Sequence, residues 1–236
     1  MSVLYERYQG SFLFEIRKKE KTMSSPVERV IKSIKSEIEP QPRFRWYQGV
    51  IFYVVVQALT FGLSGLVSAI EGNRGQSLRE DIFGDVNYFR NLKQAVITPP
   101  SWVFGPAWTI NNILTIWGNL RALNRPQGTP GRDTFLALQA ASWLDYILFN
   151  AAYFSLRSPI NAFVLTVTMF LLTIASGAVA LFKMKDTKVA LSLATLFIWL
   201  IIATTAATFQ MLWNRDDLYH VGPFVKPIPA LEKKKA

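Results

Sequence analysis

The residues with chemical potential in this sequence are rings and amides rather than nucleophiles or metal ligands. The stretch TPPSWVFGPAWTINN, residues 98–112, places Trp102 and Trp108 on either side of Gly105 and follows them with Asn111 and Asn112. Trp102, Gly105 and Trp108 step by three, so on a helix they drift slowly around one side. Gly105 leaves room there for a flat ligand or a neighbouring helix. Lipid-interface belt and packing roles, which Trp commonly fills in membrane proteins, are the alternative. Trp199 and Ala203 stand at i, i+4. A large ring beside a small residue makes a shelf, and aromatic walls with a few polar groups are ordinary ligand-pocket chemistry. Asp145 is the one charge between Thr134 and Leu156. A carboxylate at mid-membrane costs at least about 2.5 kcal/mol, so it is expected to face other helices and to find donors or a proton, with Asn111 and Asn112 as candidate donors. It either fixes the polar edge of a ligand or ligates a pigment's metal, or it is a buried packing residue.

What is missing narrows the chemistry. The chain has no cysteine and a single histidine, His220. Disulfides, thiolate nucleophiles and Cys or His metal clusters are therefore excluded. Without a phosphate-cradling glycine loop either, no catalytic residue, resident metal or obligatory cofactor is assigned. The net charge of +10 flanks apolar segments and does not decorate a soluble domain, so nucleic acid is not an expected partner.

The elements that must hold these residues are membrane spans. Trp46–Ile70, Gln94–Leu120, Ser158–Phe182 and Val189–Asn214 carry no charge, and Thr134–Leu156 carries only Asp145. Each exceeds the about 20 residues that a helix needs to cross the roughly 30 Å hydrocarbon layer. The expected fold is all-α: an integral membrane protein built as a bundle of five transmembrane helices over residues 46–214. A basic extension, residues 1–45, precedes it and a polar tail, residues 215–236, follows. Trp46 and Tyr47 suit the headgroup level. The short RSP and KMKD links predict antiparallel neighbours. Small residues at spacing four, Ala137/Ala141, Ala151/Ser155, Ser176/Ala180 and Ala203/Ala207, allow close helix contact inside the bundle or across a homodimer seam.

Within the extension, Ser25, Pro26 and Glu28 read as a helix start, with Val27, Val30, Ile31, Ile34 and Ile38 on one face. That helix suits anionic membrane lipid, or else a solvated or partner-bound arm. Met23 is an alternative start to Met1. The Lys and Arg of the extension put the N-terminus on the cytoplasmic side.

Pro99, Pro100, Trp102, Val103, Gly105, Pro106 and Trp108, with Tyr88 and Leu92 ahead and Gly118 behind, resemble the tryptophan-rich sensory protein / translocator protein family, TspO/MBR, also called peripheral benzodiazepine receptor-like proteins. The likeness covers roughly residues 47–214 and thins toward the C-terminus. Tyr146, Phe149, Asn150, Tyr153 and Phe154 are the best placement of the family's third-helix motif. In the fifth helix Trp199, Ala203 and Thr204 match, while Thr195-Leu196 and Ala206-Ala207 depart from it. The chain thus looks like a divergent member with an N-terminal extension. The resemblance implies that Tyr88, Pro99, Trp102, Trp108, Asn150, Trp199 and Ala203 line one cavity beneath the first loop. Asn111, Asn112, Asp145 and Tyr153 are secondary candidates, of which Asp145 matches no motif position of the family. Related proteins bind tetrapyrroles such as porphyrin or heme there, and some bind sterols or drugs. Some also form homodimers, and some are implicated in light-dependent porphyrin breakdown, for which Trp102, Trp108 and Trp199 are the positions. The expected function is a receptor or sensor of a planar tetrapyrrole. A transporter of sterol, lipid or tetrapyrrole, and a structural subunit of a larger membrane complex, are the alternatives.

Overall fold

A long apolar run satisfies its own backbone N–H and C=O groups only as a helix, and the expected spans are helical except for residues 94–100 of the second, which lie ahead of its helix. The structure is a computed structural model that describes residues 43–70 and 86–234. Its elements are α1 (Trp46–Ile70), α2 (Val86–Asn91), α3 (Ser101–Leu123), α4 (Arg132–Asn150), α5 (Pro159–Ala178), α6 (Thr187–Leu191) and α7 (Ala194–Trp213). A π-helical turn, Ala151–Ser155, extends α4, and a second, Val179–Lys183, extends α5. Among the described residues the only β-type pairings are the isolated bridges Ala95–Glu232 and Asp216–Val221.

Local signals set the helix ends. Pro99-Pro100 cannot continue a helix backwards, and α3 starts directly after them. Ser158 caps α5, its Oγ accepting from Asn161 N at 3.1 Å, with Pro159 in the first position. Gly131, at φ +79°, turns the chain into α4, where a Cβ would meet Lys183 Cβ at 2.6 Å.

The RSP link makes α4 and α5 packed neighbours, as expected, and α5 lies between α4 and α7. α1 packs on α4 and its π-turn, where Ser64 and Ser68 meet Ser155 Oγ, each at 2.9 Å. α3 touches α1, α4, α6 and α7. At Gly118 an added Cβ would lie 2.0 Å from Ser192 Oγ, so this glycine allows α3 to approach the link between α6 and α7. Ala151, Ser155, Ser176, Ala180 and Ala207 are buried, whereas Ala137 and Ala141 are exposed.

The distribution of polarity is inverted relative to a water-soluble bundle. Asn111, Asn112, Gln139, Asp145, Thr173 and Gln210 are buried, while Val50, Val54, Ile113, Leu144, Leu171 and Ile198 are exposed. So much contiguous outward apolar surface matches hydrocarbon rather than water. Among the described residues three helical segments are long and apolar enough to cross a membrane: Trp46–Ile70, Pro159–Lys183 and Thr187–Trp213. α3 and α4 carry more polar residues, which is where the expectation of five spans is coarser in the structure. The helix expected around Ser25–Ile38 and most of the first loop lie outside the described residues.

One charged joint closes the end of the bundle where α1 begins. Asp186 is buried, caps α6 through Val189 N at 3.3 Å, and accepts from Arg121 Nε at 2.9 Å and from Arg125. Burial raises its pKa, but the hydrogen bonds from Arg125, Arg121 and Val189 outweigh burial and hold it at about 2. An unfolded Asp titrates near 3.9. The folded value is depressed, so the stabilisation is complete above about pH 5 and is lost as pH falls through about 4 toward 2. Allowing for the part-exposed guanidiniums, it amounts to about 1–2 kcal/mol. Melting of the detergent-solubilised protein should therefore drop between pH 5 and pH 3, and Asp186→Asn should melt lower at pH 7 while losing part of that acid dependence. Equal acid slopes in the two proteins would contradict this role.

Candidate ligand-binding site

The site is assembled from rings on five helices. Phe52 of α1 meets Trp143 of α4 at 5.1 Å between centroids, and Trp143 meets Tyr146 at 5.7 Å. Tyr146 meets Trp108 of α3 at 5.3 Å, and Trp108 meets Trp199 of α7 at 6.4 Å. Trp199 then meets Phe104 at 5.3 Å, and Phe104 meets Phe89 of α2 at the same distance. All these pairs are edge-to-face, the arrangement favoured by ring quadrupoles, worth about 0.5–1.5 kcal/mol each beyond area burial. Beside this chain Tyr153 packs against Tyr88, Phe149 and Phe154.

The C-terminal tail pins the segment between α2 and α3. Asn214 accepts from Lys93 N at 2.7 Å and donates to Lys93 O at 3.0 Å. Val96 N donates to Leu231 O at 2.8 Å, Lys233 N to Gln94 O at 2.8 Å, and Lys233 Nζ to Thr98 O at 3.1 Å. Residues 93–98, and α2 before them, are thereby tied over the bundle. Arg157 lies over the Tyr88 ring at 5.9 Å.

Polar groups thread the rings. Asn112 Nδ2 donates to Tyr146 OH at 3.1 Å, Tyr146 OH donates to Gln57 Oε1 at 3.2 Å, and Gln57 Nε2 donates to Tyr53 OH at 2.9 Å. Tyr153 OH donates to Gln210 Oε1 at 2.8 Å. Several buried side-chain atoms find no hydrogen-bond partner among the described residues, and Trp199 Nε1, Trp143 Nε1, Asn111 Nδ2, Ser142 Oγ and Asp145 Oδ2 are among them. Leaving a buried polar atom unsatisfied costs about 1–3 kcal/mol, and these five lie on the same helices, α3, α4 and α7, as the central rings.

The structure brings Trp108 and Trp199 into contact, with Asn112 one bond from Trp108's neighbour Tyr146. Trp199 is 8% exposed and Asp145 5%; Asn111, Asn112 and Tyr153 are also buried. Asn111 and Asn112 are thus inside, but Asn112 donates to Tyr146 and Asn111 Nδ2 to nothing. Tyr88 joins through Tyr153. Pro99, Asn150 and Ala203 are half-buried. Trp102 is 74% exposed and takes no part in the ring chain. Phe104, Phe89, Trp143, Gln57 and Gln210 were not singled out from the sequence. Glutamine inside charge-free or nearly charge-free helices was the available signal for the last two. Phe104, between two tryptophans, gave none.

Indole and amide N–H donors beside one carboxyl group suit the polar edge of a flat apolar ligand. For metal binding, no group of three or more His, Cys, Asp or Glu is present among the described residues. Among curated proteins no match to the chain was found. The TspO/MBR family model matches residues 50–214, the segment that contains the whole ring chain. On that match the chain belongs to the TspO/MBR family.

Proposed function

We propose that the protein is a membrane receptor for a planar tetrapyrrole, seated against the ring chain of Trp108, Trp199 and Tyr146 beneath α2. Family membership supports a membrane sensor or transporter-type role. The observation that carries the ligand class is the coincidence of edge-to-face indoles with unpartnered buried polar atoms on the same helices. A flat apolar ligand gains by stacking there, and its polar edge supplies what Trp199 Nε1, Asn111 Nδ2 and Asp145 Oδ2 lack. The rings touch one another, so entry requires them to part, and the α2 segment is the door that the tail holds.

In this reading α3 and α4 cross the membrane with the other three rods, giving five spans. Their polar residues face inward, while Ile110, Ile113, Leu144 and Leu148 face outward. Ala137 and Ala141, exposed on α4, suit the seam of a homodimer. The direct test is an absorbance titration of the detergent-purified protein with protoporphyrin and with heme. A saturable shift of the protoporphyrin band at one equivalent per chain supports the reading, and its absence removes it. Porphyrin flux across proteoliposomes separates a carrier from a receptor.

A further inference from the structure

At the opposite end of α3 from Pro100 lies a groove of about 420 Å³ that the ring-chain site does not use. Asn124 builds it: its Oδ1 accepts from Phe44 N and its Nδ2 donates to Phe44 O, each at 2.8 Å, clamping the start of α1 to the end of α3. The two helices approach closely at Gly49, where an added Cβ would lie 2.7 Å from Ile116 and 3.0 Å from Leu120. Trp46, 75% exposed, and Trp117, 47% exposed, form the walls. Arg121 and Arg125 line the groove, two guanidiniums against the single carboxylate of Asp186.

The hydrogen bonding is asymmetric. Arg121 contacts Asp186 through Nε alone, and Arg125 through Nε and Nη2. Both terminal nitrogens of Arg121 and Nη1 of Arg125 have no protein partner among the described residues. These donors on two adjacent guanidiniums match the oxygens of a phosphate. Below them, Trp46, Val50 and Val54 stand at i, i+4, i+8 on α1, and Trp117 and Ile113 at i, i−4 on α3, all exposed. These stripes are tracks for acyl chains, and indoles at such a mouth suit the headgroup level. The same end carries Arg45, Arg132, Lys183, Lys185 and Lys188, a field that favours anionic lipid.

We propose that this groove is a binding site for the headgroup phosphate of an anionic membrane phospholipid. It is independent of the tetrapyrrole reading. The test is native mass spectrometry of the delipidated full-length protein, titrated with phosphatidylglycerol, phosphatidylcholine or inorganic phosphate. The expected result is one phosphatidylglycerol per chain at the lowest lipid ratios. Arg121→Lys keeps a charge opposite Asp186 but loses the planar fork, and should bind at least about fivefold less. Trp46→Glu leaves both arginine contacts with Asp186 intact and sets a carboxylate at the groove wall; it should lose binding to a similar extent, and it decides the matter alone if the lysine variant fails to fold. Equal phosphatidylglycerol retention in wild type and Trp46→Glu overturns the proposal. So does phosphatidylcholine binding as tightly as phosphatidylglycerol, and so does displacement of the lipid by millimolar inorganic phosphate, which would make this a site for a soluble anion.

Discussion

Asp216→Ala should lower the melting temperature by about 6–12 °C, the largest stability loss expected from any single truncation outside the ring chain. Asp216 is almost wholly buried just past α7. One carboxylate oxygen accepts from Ser158 Oγ at 2.6 Å and Ile160 N at 3.0 Å; the other accepts from Leu218 N at 3.1 Å and Tyr219 N at 3.0 Å. It thus satisfies an orphan donor in the first turn of α5 and shapes the tail that ties down residues 93–98. Truncation strands these donors where no other group replaces it. Hydrogen bonds to a charged group contribute about 1.5–3 kcal/mol each, and allowing for relaxation a net loss of about 3 kcal/mol is reasonable. At about 2–4 °C per kcal/mol for a chain of this size, the stated range follows. Asp217→Ala is the control, because that side chain is exposed. Thermal melts of the three proteins in one detergent check the expectation, and coincident melts would show that the tail is not anchored through Asp216.

Asp145→Leu should do the reverse for stability and still damage function. Asp145 is buried and its Oδ2 has no partner. Replacing an incompletely satisfied buried acid with an apolar residue of similar size removes a desolvation cost of about 1–3 kcal/mol. The melting point should rise by several degrees, while protoporphyrin affinity should fall about tenfold or more, since the ligand's pyrrole N–H donors lose Asp145 Oδ2 as their acceptor. A rise in stability with unchanged affinity would make Asp145 a packing residue and nothing else.

The fold was largely legible because charge-free length is a coarse and robust signal. The windows around α1, α5 and α7 needed only counting. α3 and α4 were harder, since Asn111, Asn112, Gln139 and Asp145 are tolerated by facing inward, and facing is a property of packing. The double-proline start of α3 and the tight links after α4 and α5 were written in local sequence. The π-turns at Ala151–Ser155 and Val179–Lys183 were not, because AAYFS and VALFK carry no Pro or Gly to mark a break in the helix. For the site, Trp108 and Trp199 could be named from type and spacing, but their contact spans 91 positions of chain. Trp102 carries the same residue type three residues before Gly105, and only the rotation of α3 in the bundle turns it outward. The tail's hold on residues 93–98 left no pattern to read, since it is mostly backbone bonding.

The central claim is that the planar ligand rests on the inward rings with Trp199 at its polar edge. The most direct measurement is the protoporphyrin dissociation constant, from absorbance titration, of wild type, Trp199→Phe and Trp102→Phe in the same detergent. Trp199→Phe keeps an aromatic ring and removes the unpartnered N–H, and should weaken binding about tenfold, equivalent to about 1.4 kcal/mol. Trp102→Phe should bind within about twofold of wild type, a margin worth about 0.4 kcal/mol. Unchanged affinity in Trp199→Phe, or a greater loss in Trp102→Phe, would contradict an inward seat and move the ligand to the outer face of α3.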